Sequence, residues 1–383
     1  MTTRAKAGLA ERAAARSMLV HGGLALLLFC AAPAVSHPTA RLHLVLAAGV
    51  MPLILSAMVY FVPVLTRGRP APPLMTLAPV LALAGGALAV TAFLGGPGAP
   101  ALFTAAAAAA LVAVVAVAAW ALWRAADCVG GAHPGLNWYL TALGCLGIAL
   151  AAALLVHQWA DQYHALKRLH LHLNTLGFVG MTAFGTLQVL MPTAAGVADD
   201  SAADRLKSDW PWALAGTGAA ALSAGWWPAA GWMGALLWLV PVIRAAGAWS
   251  RRFAGPVFQW HGAPPLLGAG FAGFAMSLVQ GVLHAAGWSA AAGARTFFVV
   301  GFLFPLISGA LTHLLPIWLR GGEEWRRAAR ARLGRFNGVL ALLFPGSWLL
   351  AQAQPQPGEA LVLAGLGFFG FKVAAVAASA LRG

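Results

Sequence analysis

Charge is scarce in this chain. Asp, Glu, Lys and Arg make up 9% of its 383 residues, where soluble domains carry about 25%, so a water-soluble globular fold is excluded. Disorder is excluded too, because it needs low hydrophobicity and high charge; here 61% of residues are hydrophobic and the mean hydropathy is +0.79. Acidic side chains are rarest: Glu11, Asp127, Asp161, Asp199, Asp200, Asp204, Asp209, Glu323, Glu324 and Glu359. None falls at the centre of a hydrophobic run, so a carboxylate proton relay across a membrane is not supplied. Tyrosine is limited to Tyr60, Tyr139 and Tyr163. Cysteine is limited to Cys30, Cys128 and Cys145, an odd number with no CxxC, which excludes a disulfide framework and a zinc knuckle. Glycine (45) and proline (23) are frequent but not periodic, so no collagen-like helix is encoded.

What the chain does have is long hydrophobic runs. A helical span needs about 20 mostly apolar residues. Twelve such runs are expected, at 18–36, 40–65, 74–95, 101–123, 137–160, 169–193, 210–228, 230–249, 263–286, 293–318, 333–352 and 359–381. Breaks fall where Pro, Gly and charge gather; the shortest follows Trp226-Trp227-Pro228. The fold class is therefore an all-α polytopic membrane protein with about twelve transmembrane helices. Residues 1–17 form a basic N-terminus and 18–381 a single membrane domain. The start resembles a signal peptide ending at Ala34-Val35-Ser36, but it is expected to remain as the first span.

The formal net charge is +14. In a soluble chain this would point to nucleic acid; in a membrane protein, cytoplasmic loops concentrate Lys and Arg. With the N-terminus in the cytoplasm, nineteen of the 24 basic residues fall on inner segments. Four, Arg41, Lys167, Arg168 and Arg295, fall on outer ones, and Lys372 lies within the last span. The expectation is a multi-pass protein of a bacterial inner membrane, N-in and C-in, with the lipid bilayer and not nucleic acid as its partner. Residues 320–335 read as a basic amphipathic helix at the inner surface.

Three spans share a template. His43 to Pro63, His172 to Pro192 and Thr296 to Pro316 each cover 20 residues from first position to proline. Gly177 and Gly301 stand at +5, Gly185 and Gly309 at +13, with Gly49 and Ser56 near the same places in the first copy. Twenty helical residues rise about 30 Å, one hydrocarbon thickness. These are spans 2, 6 and 10, so the chain reads as three four-helix pseudo-repeats, at about 18–124, 137–249 and 263–381. The small residues allow close approach of helices or of a flat macrocycle.

Histidines gather at the expected outer ends of the helices: His37, His43, His157, His164, His170, His172 and His284. Imidazole is the commonest side-chain metal ligand, and ionisable residues within spans are candidate functional groups. At 100° per residue His170 and His172 project about 160° apart, so one regular helix cannot aim both at one ion. His172 shares the repeat position of His43, which favours His43 and His172, with His170 as an alternative or a second site. His157, Asp161 and His164 have i, i+4, i+7 spacing and would share a face if the helix runs on, a two-histidine, one-carboxylate metal site. His284 and His37 are further candidate metal ligands. His21, His133, His261 and His313 have no partner that the sequence defines.

The stretch His170-Leu-His172-Leu-Asn-Thr-Leu-Gly177, with Gly185, Pro192 and Gly196, resembles the histidine-containing helix of NnrS-type haem- and copper-containing membrane proteins, which also have twelve spans. The span from His43 through Met51-Pro52 to Val62-Pro63 is similar to the second helix of haem-copper oxidase subunit I. The resemblance implies haem b and/or copper, a haem role for His43, and a ligand role for His172 and His170. It also implies nitric oxide tolerance or respiratory metal or electron handling, with nitric oxide or another diatomic gas and respiratory redox partners as what it meets. The span at 210–228 lacks the histidine pair of an oxidase, and the tenth span has Thr296 where a ligand would fall, so a complete proton-pumping oxidase is not expected. Two other classes fit twelve spans: a transporter or permease, and a non-catalytic assembly subunit of a respiratory complex.

Overall fold

A computed structural model describes residues 3–96, 98–156, 158–319 and 322–380. Among the described residues there is no strand, and the long helices lie end to end along the chain. Helix is what the composition dictates. In lipid every backbone N–H and C=O must be satisfied within the chain, which a helix does for itself. Among the described residues, eleven helices are long and apolar enough to cross a membrane: Leu9–Ala34, Pro38–Leu65, Pro73–Phe93, Ala99–Ala126, Gly135–Leu155, Ala160–Ala195, Gly231–Arg252, Pro264–Ala285, Ala291–Trp318, Glu323–Ala353 and Pro355–Ala380. The protein is thus an all-α polytopic membrane protein.

Most of the remaining expected span, 210–228, lies on the helix Ala202–Trp226, which is 25 residues long. That helix is not among the eleven; its first turns carry Asp204, Arg205, Lys207 and Asp209. The expected break after it is a short 3-10 turn, Pro228–Ala230. The expected basic helix is Glu323–Gly334, which buries Ala329 and Leu333 and leaves Arg327 and Arg332 exposed.

By contact the helices group into two compact units, one of residues 1–182 and 217–230, the other of 183–216 and 231–383. In the first, Leu77–Phe93 lies on Ala99–Ala126, which lies on Gly135–Leu155. In the second, Pro264–Ala285 is central, touching Gly231–Arg252, Phe304–Trp318 and Asn337–Ala353. An aromatic cluster fills the second unit, with Trp238 5.7 Å from Phe184 and 5.0 Å from Phe274, and Phe274 5.3 Å from Phe302.

The three template helices share a feature that a regular helical wheel omits. Each contains a π-helical segment just after its first template position: Leu44–Val50, Leu173–Gly180 and Phe298–Leu303. Such segments are rare and concentrate at functional sites. In the first and third copies a cause is visible. Pro52 and Pro305, nine residues after His43 and Thr296, have no N–H to give to the preceding turn. In the second copy side chains do the work: the Asn174 amide donates to the His170 carbonyl (2.7 Å) and the Thr175 hydroxyl to that of Leu171 (2.9 Å). Both carbonyls are thereby satisfied outside the regular ladder.

Candidate functional site

The first unit brings two of the expected histidines together. His43 ends the helical turn Pro38–His43, and His170 lies in the turn Tyr163–His172. Their ring centroids are 6.4 Å apart and their planes are 13° from parallel. Each ring is held by one nitrogen. His43 Nδ1 is 2.8 Å from the Thr39 carbonyl oxygen, one turn earlier. His170 Nδ1 is 2.8 Å from the Ala149 carbonyl oxygen, on the neighbouring helix Gly135–Leu155. A carbonyl only accepts, so Nδ1 is the protonated nitrogen in both rings and Nε2 keeps its lone pair. This is how proteins orient a histidine for metal binding.

The walls of the pair are apolar. Phe93 lies 4.5 Å from the His43 ring, and Phe103 lies 4.7 Å from Phe93. On the other side Cys145, Ala149, Leu173 and Ala221 form a buried cluster. Gly177 closes that contact: a Cβ there would fall 2.6 Å from the Cys145 Cβ. Gly177 and Gly309 therefore serve helix approach, Gly309 against the Leu267 backbone at under 3 Å from where a Cβ would sit, while Gly301 faces the Phe297 ring of its own helix.

It is His170, not His172, that stands beside His43. His172 turns to its own helix, its Nδ1 2.8 Å from the Arg168 carbonyl oxygen. A signal for this pairing is present in the sequence: Arg41-Leu42-His43 recurs as Arg168-Leu169-His170, 127 residues later. Alignment on the prolines put His172 in register instead, because the second copy has two more residues between arginine and proline. Phe93 and the Ala149 carbonyl carried no signal, since one is an ordinary apolar residue and the other is backbone.

The other candidates are dispersed. His37 accepts from the Ala40 N–H through Nδ1 (3.2 Å) and so caps the helix that His43 ends. His157 lies outside the described residues. The continuous helix that would align it with Asp161 and His164 is absent, because Ala160–Gln162 is a 3-10 turn entered from Trp159 at φ −115, ψ 72. Asp161 and His164 are exposed, and His164 meets the Tyr163 ring edge-on. His284 belongs to the other unit, with Nδ1 3.2 Å from the Ser289 carbonyl oxygen. Among the described residues no three His, Cys, Asp or Glu side chains gather where they could hold one metal ion. The His43–His170 pair is an arrangement of two imidazoles.

Two groups left without partners by the sequence acquire them. His21 is buried with Ser17 and Ser56, its Nδ1 2.8 Å from the Ser17 carbonyl oxygen and 2.9 Å from the Ser56 hydroxyl. Lys372 donates to the Leu333 and Arg335 carbonyls (2.8 and 3.0 Å) and to Asn337 Oδ1 (2.7 Å). The chain matches no family model and no curated protein.

Proposed function

We propose that the first unit binds haem b between His43 and His170, and that the protein handles electrons in a respiratory membrane. The observation that carries this is the ring spacing. Two imidazoles on one metal at ~2.0 Å per nitrogen would hold their centroids about 6 Å apart, close to the 6.4 Å of His43 and His170. The ligand count points the same way. Zinc and cupric ions take three or four protein ligands, whereas a haem supplies its own four equatorial nitrogens and asks the protein for the axial ones. A linear cuprous ion is the second reading, since two imidazoles suffice for it.

Held by both His43 and His170, a haem would supply a one-electron couple. Within the expected roles this favours electron handling over nitric oxide binding. The residues present do the rest. Thr39 and Ala149 fix the tautomers, and Phe93 and the cluster about Cys145 keep the surroundings apolar. A transporter of ions is disfavoured, because the charge of Lys372 is already engaged by three oxygens. The expected inner-membrane, N-in and C-in placement rests on the arginine and lysine distribution. It puts this pair near the periplasmic face.

The test is a dithionite-reduced minus oxidised visible spectrum of the purified protein, with metal analysis of the same sample. A b-type haem band, lost in His43→Ala and His170→Ala, is the expected result. Copper without haem would select the second reading. Neither haem nor copper, after expression with both supplied, would overturn both and return the weight to a permease or an assembly subunit.

A further inference from the structure

The second unit contains a cavity of about 210 Å³ lined by Pro256, Gln259, Ala263, Thr312, His313 and Arg330, among others. It lies at the far end of the third template helix from its π segment. Its charged side chains are of one sign. No carboxylate lines it, while the Arg330 guanidinium does. The Arg330 Nε is fully covered, yet it has no hydrogen-bond partner among the described residues. His313 is 8% exposed and makes no hydrogen bond among the described residues. Beside both, at Ala263 and Pro264, begins the 22-residue helix Pro264–Ala285, whose N-terminal end carries partial positive charge but takes no N–H from its first two residues, Pro264 and Pro265.

A buried guanidinium nitrogen without an acceptor costs roughly 1–3 kcal/mol or more. Among the described residues the only charged side chain lining the cavity is Arg330, although Gln259 and the carbonyl end of the helix Met181–Ala195, at Ala194 and Ala195, bring acceptors to the rim as well. Thr312 adds no demand of its own, since its hydroxyl donates to the Ser308 carbonyl (2.8 Å) and accepts from the Asn337 amide (3.0 Å). An acceptor that bears negative charge and has several oxygens would satisfy Arg330, His313 and Gln259 together. Arginine pairs with phosphate oxygens in this way, often through two parallel N–H bonds. The helix Glu323–Gly334 that carries Arg330 also presents Arg327 and Arg332 at the surface, and such polybasic helices attract anionic lipid surfaces.

We propose that this cavity binds a phosphate group, held by Arg330 and His313 at the start of the helix Pro264–Ala285. The group is either that of an anionic phospholipid or free phosphate. The test uses the full chain purified in a neutral detergent. Its Tm is monitored as inorganic phosphate is titrated against chloride at equal ionic strength, and separately as dioleoylphosphatidylglycerol is added to the micelles. Native mass spectrometry counts retained lipid on the same sample. The expected result is a saturable rise in Tm with one of the two probes. Phosphate alone would identify the free anion, and the lipid alone the headgroup. Arg330→Gln should weaken the effect about tenfold, His313→Gln should weaken it less, and the exposed Arg327→Gln should leave it intact. An equal rise in wild type and Arg330→Gln would overturn the proposal. So would no rise and no retained lipid in the wild type, a result independent of whether any variant folds.

Discussion

Gly273 and Gly301 meet backbone to backbone. A Cβ built on Gly273 would collide with the Gly301 carbonyl group and lie 2.7 Å from its carbon. The contact seats the helix Pro264–Ala285 on the π segment of the third template helix. The first template helix is seated in the same way, since a Cβ on Gly86 would collide with the Ala47 carbonyl group. Gly273→Ala should therefore lower stability by about 1–3 kcal/mol, read as a fall in Tm in detergent. Gly281→Ala, where nothing lies within 4 Å, should be neutral or slightly stabilising.

The histidines give a prediction that separates neighbours two residues apart. His170→Ala should abolish cofactor content as fully as His43→Ala does. His172→Ala should retain most of it, because it is the His170 ring that stands parallel to His43. The measurement is haem or copper per folded protein. Equal loss in His170→Ala and His172→Ala would contradict the pairing.

The π segment should be needed for that pairing. Asn174→Ala with Thr175→Ala removes the side-chain bonds that hold the His170 and Leu171 carbonyls outside the regular ladder. A π turn that relaxes to α with no residue lost rotates the N-terminal part of the helix by about 100° against its C-terminal part. His170 should then turn away from His43. The expected outcome is loss of the cofactor with the monodisperse elution and helical circular dichroism of the wild type retained.

Asp199 gives a pH dependence. Burial alone would push its carboxyl up, but hydrogen bonds from Arg205 and Ser201, and the charges of Arg205 and Arg252, outweigh it, and the pKa lies below the ordinary 3.8. Arg205 contacts it at 2.6 Å, and Arg252 pairs with its other carboxylate oxygen. A depressed carboxyl contributes stability that is complete above its unfolded pKa and lost as pH falls through its folded value. Asp199→Asn should therefore be less stable than wild type by about 2 kcal/mol at pH 7. The gap should close on acidification below about pH 4, as measured by thermal unfolding.

Eleven of the twelve expected spans were readable because apolar length decides them, while the twelfth, 210–228, lies on a helix that apolar length does not single out; the break at Trp227 was readable from the tryptophans and proline around it. The histidine pair was misread through register: alignment on the prolines matched His172 to His43, whereas the recurring Arg-Leu-His matches His170 to it. The His157, Asp161 and His164 face failed for a geometric reason: it required helix through 160–162, where the chain makes a 3-10 turn. The Arg330 cavity left no local trace, since it joins side chains from separate helices. The role of Lys372 was hidden as well, because two of its three partners are backbone oxygens.

The Lys372 arrangement is closer to ion coordination than to a salt bridge. Three oxygens from the bend at 333–337, where Phe336 takes a left-handed φ of 60°, converge on one ammonium, as they would on a potassium ion. Here the ion is attached to the chain. It cannot be diluted away or exchanged for sodium, and it arrives only when the last helix has docked. This corner of the protein thus carries its own counter-ion, and its closure reports on the completion of the fold rather than on the salt around it.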